Sequence, residues 1–60
     1  MKFDRNHMAA GLFTELMATA SGLGKLPAEE RKEVYTQVTD FSFEMADAFI
    51  ERAKELETPA

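Results

Sequence analysis

The residues of this 60-residue chain that could do chemistry are mainly carboxylates. Glu44, Asp47 and Glu51 repeat at helical spacing, and oxygen ligands on one face could lie near a hard cation such as Ca²⁺ or Mg²⁺. Acid–base catalysis of the glycosidase type needs two carboxylates that flank a cleft and have separated pKa values. A short helical chain offers no such cleft, so we expect these carboxylates to form a surface.

The remaining reactive side chains are too few for a metal or catalytic centre. The chain has no Cys and a single histidine, His7, so Asp4 and His7 could share one metal at most. The segment Gly22-Leu23-Gly24-Lys25 resembles part of a phosphate-binding loop, but no strand precedes it and its spacing is wrong. We therefore predict a protein that is not an enzyme and has no catalytic residue, no cofactor and no metal.

An acidic row on the second half of the chain is the first candidate binding face. No Lys or Arg occurs between Glu33 and Glu51. The net charge of −4 and sequence pI of about 4.8 disfavour nucleic acid and anionic membranes as partners, and permit a basic protein. The ordinary alternative is a solvated helix face. The predicted partner-binding residues are Glu33, Asp40, Glu44, Asp47 and Glu51.

Local signals predict one all-α domain, residues 1–60, whose second helix carries the acidic row. We expect helix 1 over about residues 5–21, a turn over about 22–26, and helix 2 over about 27–57. A glycine of the turn can take the left-handed conformation, Pro27 suits a first helical turn, and so short a connection makes the helices antiparallel. The polar and β-branched cluster Thr39–Ser42 could break helix 2, but the apolar pattern crosses it in phase, which favours one helix.

The apolar residues of helix 2 cover about twice the arc that one partner helix needs. One set is expected to face helix 1; it comprises Val34, Val38, Phe41, Met45, Ala48, Phe49 and Leu56. A second set is predicted to form a homodimer interface; it comprises Tyr35, Phe43, Ala46, Ile50 and Ala53. Self-association into a four-helix bundle would enlarge the core of so short a chain. The alternatives are a different protein partner, or a monomer in which helix 1 covers more.

The outline resembles the Rop family, plasmid RNA-binding proteins whose helical hairpins dimerise into a four-helix bundle. Met8-Ala9 opens helix 1 in a similar way, and the turn and second helix match at Leu23, Leu26, Ala28, Glu30, Val34, Val38 and Asp40. The resemblance implies the hairpin architecture. It implies no RNA site, because that family reads RNA with basic, polar and aromatic residues, and the corresponding positions here are His7, Gly11, Glu15 and Gly22.

A small acidic protein-binding module is therefore the predicted function: a regulator or inhibitor of the kind that plasmids and phages encode, acting through its acidic face. The alternatives are an RNA-binding regulator of Rop-like shape, which would use Lys2, Arg5 and Lys25, and a structural subunit of a larger assembly. No membrane partner is expected. A secretory-signal interpretation of the first 20 residues is disfavoured because Asp4 and Glu15 interrupt its charged and apolar parts, so we expect a cytoplasmic protein.

Overall fold

The structure, a computed structural model, describes residues 4–57. It contains helix α1 (Arg5–Thr19), a 3₁₀ turn (Leu23–Lys25) and helix α2 (Ala28–Glu57), with α1 packed against α2 as a hairpin. The segment Thr58-Pro59, where a proline is expected to end helix 2, lies outside the described residues, as does the cation Lys2. Within residues 4–57 no helix is long and apolar enough to cross a membrane.

Helix α1 begins at a capped end and ends two residues earlier than predicted. The Asp4 carboxylate accepts hydrogen bonds from the backbone N–H groups of Asn6 and His7, at 3.0 and 3.3 Å, which satisfies two of the free donors of the first turn. At the other end Ala20 is already extended, and its N–H donates to the Met17 carbonyl at 3.2 Å. The helix therefore closes on a tight turn before the glycines are reached.

The connection uses the special backbone preferences of glycine and proline. Gly22 has φ +80°, the left-handed conformation that costs a glycine least. Leu26, before Pro27, is extended at φ −83° and ψ 148°, as a residue before proline must be. The Pro27 carbonyl then accepts from the Arg31 N–H at 3.0 Å and opens α2.

Helix α2 is continuous over 30 residues, so the possible break near Thr39–Ser42 does not occur. The Thr39 and Ser42 hydroxyls each donate to the carbonyl four residues earlier, those of Tyr35 and Val38, at 2.7 Å. These bonds occupy the side chains without interrupting the backbone ladder. They also satisfy the hydroxyl of Ser42, which is buried.

The two helices meet along small side chains rather than along the large apolar residues of α2. The buried residues of the hairpin are Ala9 of α1 and Ser42 and Ala46 of α2. Ser42 and Ala46 lie about 80° and 120° round α2 from Val34. Small residues let two helix backbones approach closely, while larger side chains interlock on either side of the seam.

The expected position of the core stripe on α2 is therefore wrong. Phe41, Phe49 and Leu56 of that stripe are 50%, 52% and 70% exposed, whereas Val34, Val38 and Met45 are half-buried. The seam of contact is rotated by roughly 90° from the centre of the predicted stripe. On α1, the apolar residues Met8, Leu12, Phe13, Leu16 and Met17 are all half-buried.

Helix α2 is longer than α1 and extends past its start. Arg5, in the first turn of α1, contacts Asp47, ten residues before the end of α2. Those ten residues correspond to about 15 Å of helix beyond the contact. The described chain is accordingly rod-like, with extents of 51 × 16 × 14 Å.

Candidate functional site

The predicted acidic face is present as a row of exposed side chains on α2. Glu33, Asp40, Glu44 and Glu51 are exposed, and none forms an ion pair within residues 4–57. They lie on the side of the helix directed away from the seam with α1, over a length of about 27 Å. We call these four residues the acidic ridge.

The fifth residue of the predicted face, Asp47, is already bound within the chain. Arg5 donates from Nε to Asp47 Oδ1 at 2.5 Å and from Nη2 to Oδ2 at 3.2 Å, the two-point geometry that suits a guanidinium and a carboxylate. The Arg5 guanidinium carbon also lies 4.4 Å from the centre of the Phe43 ring, within cation–π range. Asp47 therefore binds Arg5 of α1 within the chain, unlike the four residues of the acidic ridge.

This contact changes the titration of both groups. Hydrogen bonding from Arg5, reinforced by its positive charge, holds the pKa of the Asp47 carboxyl below its ordinary value, although partial desolvation opposes the shift. The hydrogen bond to Asp47 raises the pKa of Arg5 in turn. Both side chains are about half exposed, so solvent and salt screen the pair.

The sequence did not predict the contact between Arg5 and Asp47. The two residues are 42 positions apart, and neither has a local feature that identifies the other. The only available signal was a cation at the start of one helix and a carboxylate in the middle of an antiparallel one.

The residues of the predicted dimer interface differ in how far they are exposed. Ala46 is fully buried in the hairpin, with 0% exposure, and so presents no surface in this conformation. Phe43, Ile50 and Ala53 are half-buried, with Phe43 against Arg5, and Tyr35 is 42% exposed. Contact of the latter four residues with a second chain stays a prediction.

A large groove lies on the side of the helix seam opposite Phe43. Its walls are Met8, Leu12 and Glu15 of α1 and Met45, Ala48 and Phe49 of α2, and its volume is about 690 Å³. The lining is apolar apart from Glu15. The exposed side chain of Phe41 lies one turn of α2 before Met45, so the apolar surface continues beyond the groove.

A smaller groove of about 300 Å³ lies on the Phe43 side, between Phe13 of α1 and Thr39 of α2. The Thr39 and Ser42 hydroxyls that border it donate to backbone carbonyls of their own helix.

The residues considered for a metal have structural roles or stand apart. Asp4 accepts the N-terminal hydrogen bonds of α1, and His7 is exposed. Among residues 4–57 no group of three or more His, Asp or Glu side chains is placed to hold a metal ion.

The positions that correspond to the RNA-reading face of the Rop family are exposed: His7, Gly11, Glu15 and Gly22. Arg5, a cation that an RNA site would need, is bound to Asp47. What is established is a two-helix hairpin, and the resemblance extends no further than that architecture. No protein-family model matches the chain, and no curated protein or solved structure is significantly similar to it.

Proposed function

We propose that this protein is a non-enzymatic protein-binding module, a helical hairpin that self-associates and presents its acidic ridge to a basic protein. The observation that supports binding of a basic partner is the ridge itself. Four carboxylates are exposed in one row, and their chain supplies no cation to them within residues 4–57. Asp40 and Glu44, four residues apart in the ridge, repel each other, and a basic partner would relieve that repulsion.

Self-association is supported by how little the hairpin buries. Among the described residues 4–57, the buried apolar residues are Ala9 and Ala46, while four large hydrophobic side chains remain 42% to 70% exposed. A chain of this size has a marginal core, and a second helical surface is the natural way to enlarge it. A four-helix bundle formed from two hairpins would supply that surface. A regulator or inhibitor of a basic protein is the role that such a module could fill.

The ridge is tested by affinity capture with immobilised protein, followed by binding measurements with each captured protein after purification. The test variant is Glu44→Gln with Glu51→Gln. The matched control is Glu30→Gln with Glu57→Gln, which removes the same charge from the two ends of the same helix at exposed positions away from the centre of the ridge. We expect the ridge variant to bind a captured basic protein at least tenfold more weakly, and the control to bind it nearly as well as the unaltered chain.

Salt supplies a second measure of the same contact. Affinity should fall steeply as ionic strength rises from about 0.05 to 0.5 M, because screening shortens the range of the attraction. Binding that is indifferent to salt, or equal for the ridge and control variants, would contradict the proposed role of the ridge.

A further inference from the structure

A symmetric row of side chains runs along α2 beside the large groove. Its members are Val34, Val38, Phe41, Met45, Phe49, Arg52 and Leu56. Between Val34 and Leu56 these are the positions within about 40° of Met45 round α2, so helix geometry alone makes their spacing symmetric about Met45. Phe41 and Phe49 are equidistant from this centre, and each is about half exposed.

The side chains add a match that helix geometry does not impose. Phe41 and Phe49 are the same residue type, and Val34 and Leu56, which are equidistant from Met45, are both apolar. In a two-fold interface the same surface faces itself, so two antiparallel copies of one helix place each residue opposite the residue equidistant from the axis. A different protein partner would require no such pattern. We propose that a second copy of this chain packs its α2 antiparallel along this row, with the two-fold axis at Met45. The inference rests on the proposed self-association and adds its surface, direction and register. It places the interface on a different face of α2 from the set Tyr35, Phe43, Ala46, Ile50 and Ala53 predicted from the sequence.

The proposed interface covers the two aromatic side chains of the row, Phe41 and Phe49, which are each about half exposed. Phe41 would face Phe49 of the partner subunit, and Met45 would face Met45 of the partner subunit. The row extends over about 33 Å, and its centre and the large groove are flanked by Met8 and Leu12 of α1. The acidic ridge lies roughly 120° away round α2, so it stays accessible to a basic protein in the dimer.

Charge complementarity favours the same direction and register. Arg5 of α1 contacts Asp47 of α2, and the two helices are antiparallel. Glu15, ten residues after Arg5, therefore lies level with about residue 37 of α2. Arg52 is seven residues after Met45, and Val38 is seven residues before it. A two-fold axis at Met45 therefore places Arg52 of the partner subunit level with Val38. Arg52 of the partner subunit would therefore approach Glu15, the one carboxylate in the groove wall.

Neither charge has a strong competing contact. Glu15 is exposed and forms no ion pair within residues 4–57. Arg52 pairs with Glu55 at 2.9 Å, but both side chains are largely exposed, and such surface pairs contribute little. In a parallel dimer Arg52 would lie near the end of its neighbour, far from Glu15.

Cysteine cross-linking tests the axis directly, because the chain has no cysteine of its own. Only a residue on the axis of an antiparallel pair meets its own copy. Under mild oxidation we expect Met45→Cys to form a disulfide-linked dimer. Phe41→Cys and Phe49→Cys should each fail alone, because their copies are about 12 Å apart along the helix, but should cross-link when the two variants are mixed. Efficient self-linking at all three positions would instead indicate a parallel pair and overturn the proposal.

Molar mass by light scattering over a dilution series separates failure of the interface from failure of self-association. The unaltered chain should be a dimer, Phe41→Asp should be a folded monomer, and the control Thr36→Asp, at an exposed position on the opposite face of α2, should stay a dimer. Circular dichroism checks that each variant is helical. A monomeric unaltered chain removes both self-association and this interface, whereas a dimer that survives Phe41→Asp removes only the interface. Binding of a basic protein to the ridge is measured independently of either result.

A charge exchange tests the register. Glu15→Arg and Arg52→Glu should each raise the dimer dissociation constant several-fold, and the double variant should return it close to that of the unaltered chain. If the double variant is as weak as the sum of the single changes, Glu15 and Arg52 do not meet and the proposed register is wrong.

Discussion

Nε of Arg5 lies 2.5 Å from Oδ1 of Asp47, and this pair holds the first turn of α1 against the middle of α2. The same guanidinium lies over the Phe43 ring, so one side chain makes a polar and an aromatic contact across the hairpin. The contact fixes the position of α1 along the axis of α2. A seam of small side chains alone would specify that axial position only loosely.

The stabilisation from this pair should depend on pH through Asp47. Its pKa is lower in the folded chain than in the unfolded one, so the contribution is fully present above the unfolded value, about 4, and is lost as pH falls through the folded value. We expect Asp47→Asn to lower the free energy of unfolding at pH 7, and the difference from the unaltered chain to shrink progressively below pH 4. Urea unfolding at fixed chain concentration, followed by circular dichroism from pH 7 to pH 2, measures this.

The matched control for this change is Asp40→Asn, because Asp40 is an exposed carboxylate of the same helix and forms no ion pair within residues 4–57. It should change stability much less at pH 7. A deficit of Asp47→Asn that stays constant down to pH 2 would show that the loss comes from packing rather than from charge.

The small residues of the helix seam should resist enlargement. Ala46 has 0% exposure, and a longer side chain there would push α1 away from α2. We expect Ala46→Leu to destabilise the hairpin by about 1–3 kcal/mol, the usual effect of overpacking a close contact. Thermal unfolding at fixed concentration checks this against Ala18→Leu, an exposed site on α1 that should tolerate the change. Equal melting temperatures for the two variants would mean that the seam can widen without cost.

Gly22 and Gly24 make a matched pair in the connection. An added Cβ meets no atom within 4 Å at either position, so sterics with neighbours do not distinguish them. Only Gly22 has a positive φ, which strains any other L-residue. Gly22→Ala should therefore cost about 1 kcal/mol, while Gly24→Ala should be neutral or slightly stabilising because it restricts the unfolded chain. Chemical unfolding of both variants gives the comparison, and a reversed order would refute this assignment of the left-handed residue.

The cap of α1 is tested at Asp4. Its carboxylate accepts from the N–H groups of Asn6 and His7, so Asp4→Ala should lose about 1 kcal/mol of stability. Asp4→Ser keeps an acceptor oxygen and should recover most of the loss. Far-ultraviolet circular dichroism and urea unfolding measure the helicity and the stability of both variants. If serine performs no better than alanine, the hydrogen bonds at this cap contribute nothing measurable.

The elements of this fold were determined by signals that act within a few residues. Asp4 caps α1, a glycine takes the left-handed turn, and Pro27 with the extended Leu26 opens α2, all of which follow from backbone preferences and local hydrogen bonds. Helix α2 stays continuous because Thr39 and Ser42 return their hydroxyls to their own backbone. The exposed acidic ridge follows from helical periodicity together with the cost of burying charge.

Only tertiary structure decided which part of the wide apolar arc of α2 faces α1. Periodicity favoured the face with the large side chains, but the helices meet where Ser42 and Ala46 permit a close approach, and Phe41 and Phe49 stay exposed. The contact of Arg5 with Asp47 was equally hidden, because it joins residues 42 positions apart that come together only after the hairpin closes. Local patterns specify which residues are apolar or charged on a helix, whereas the choice between two apolar faces depends on how closely two backbones can pack.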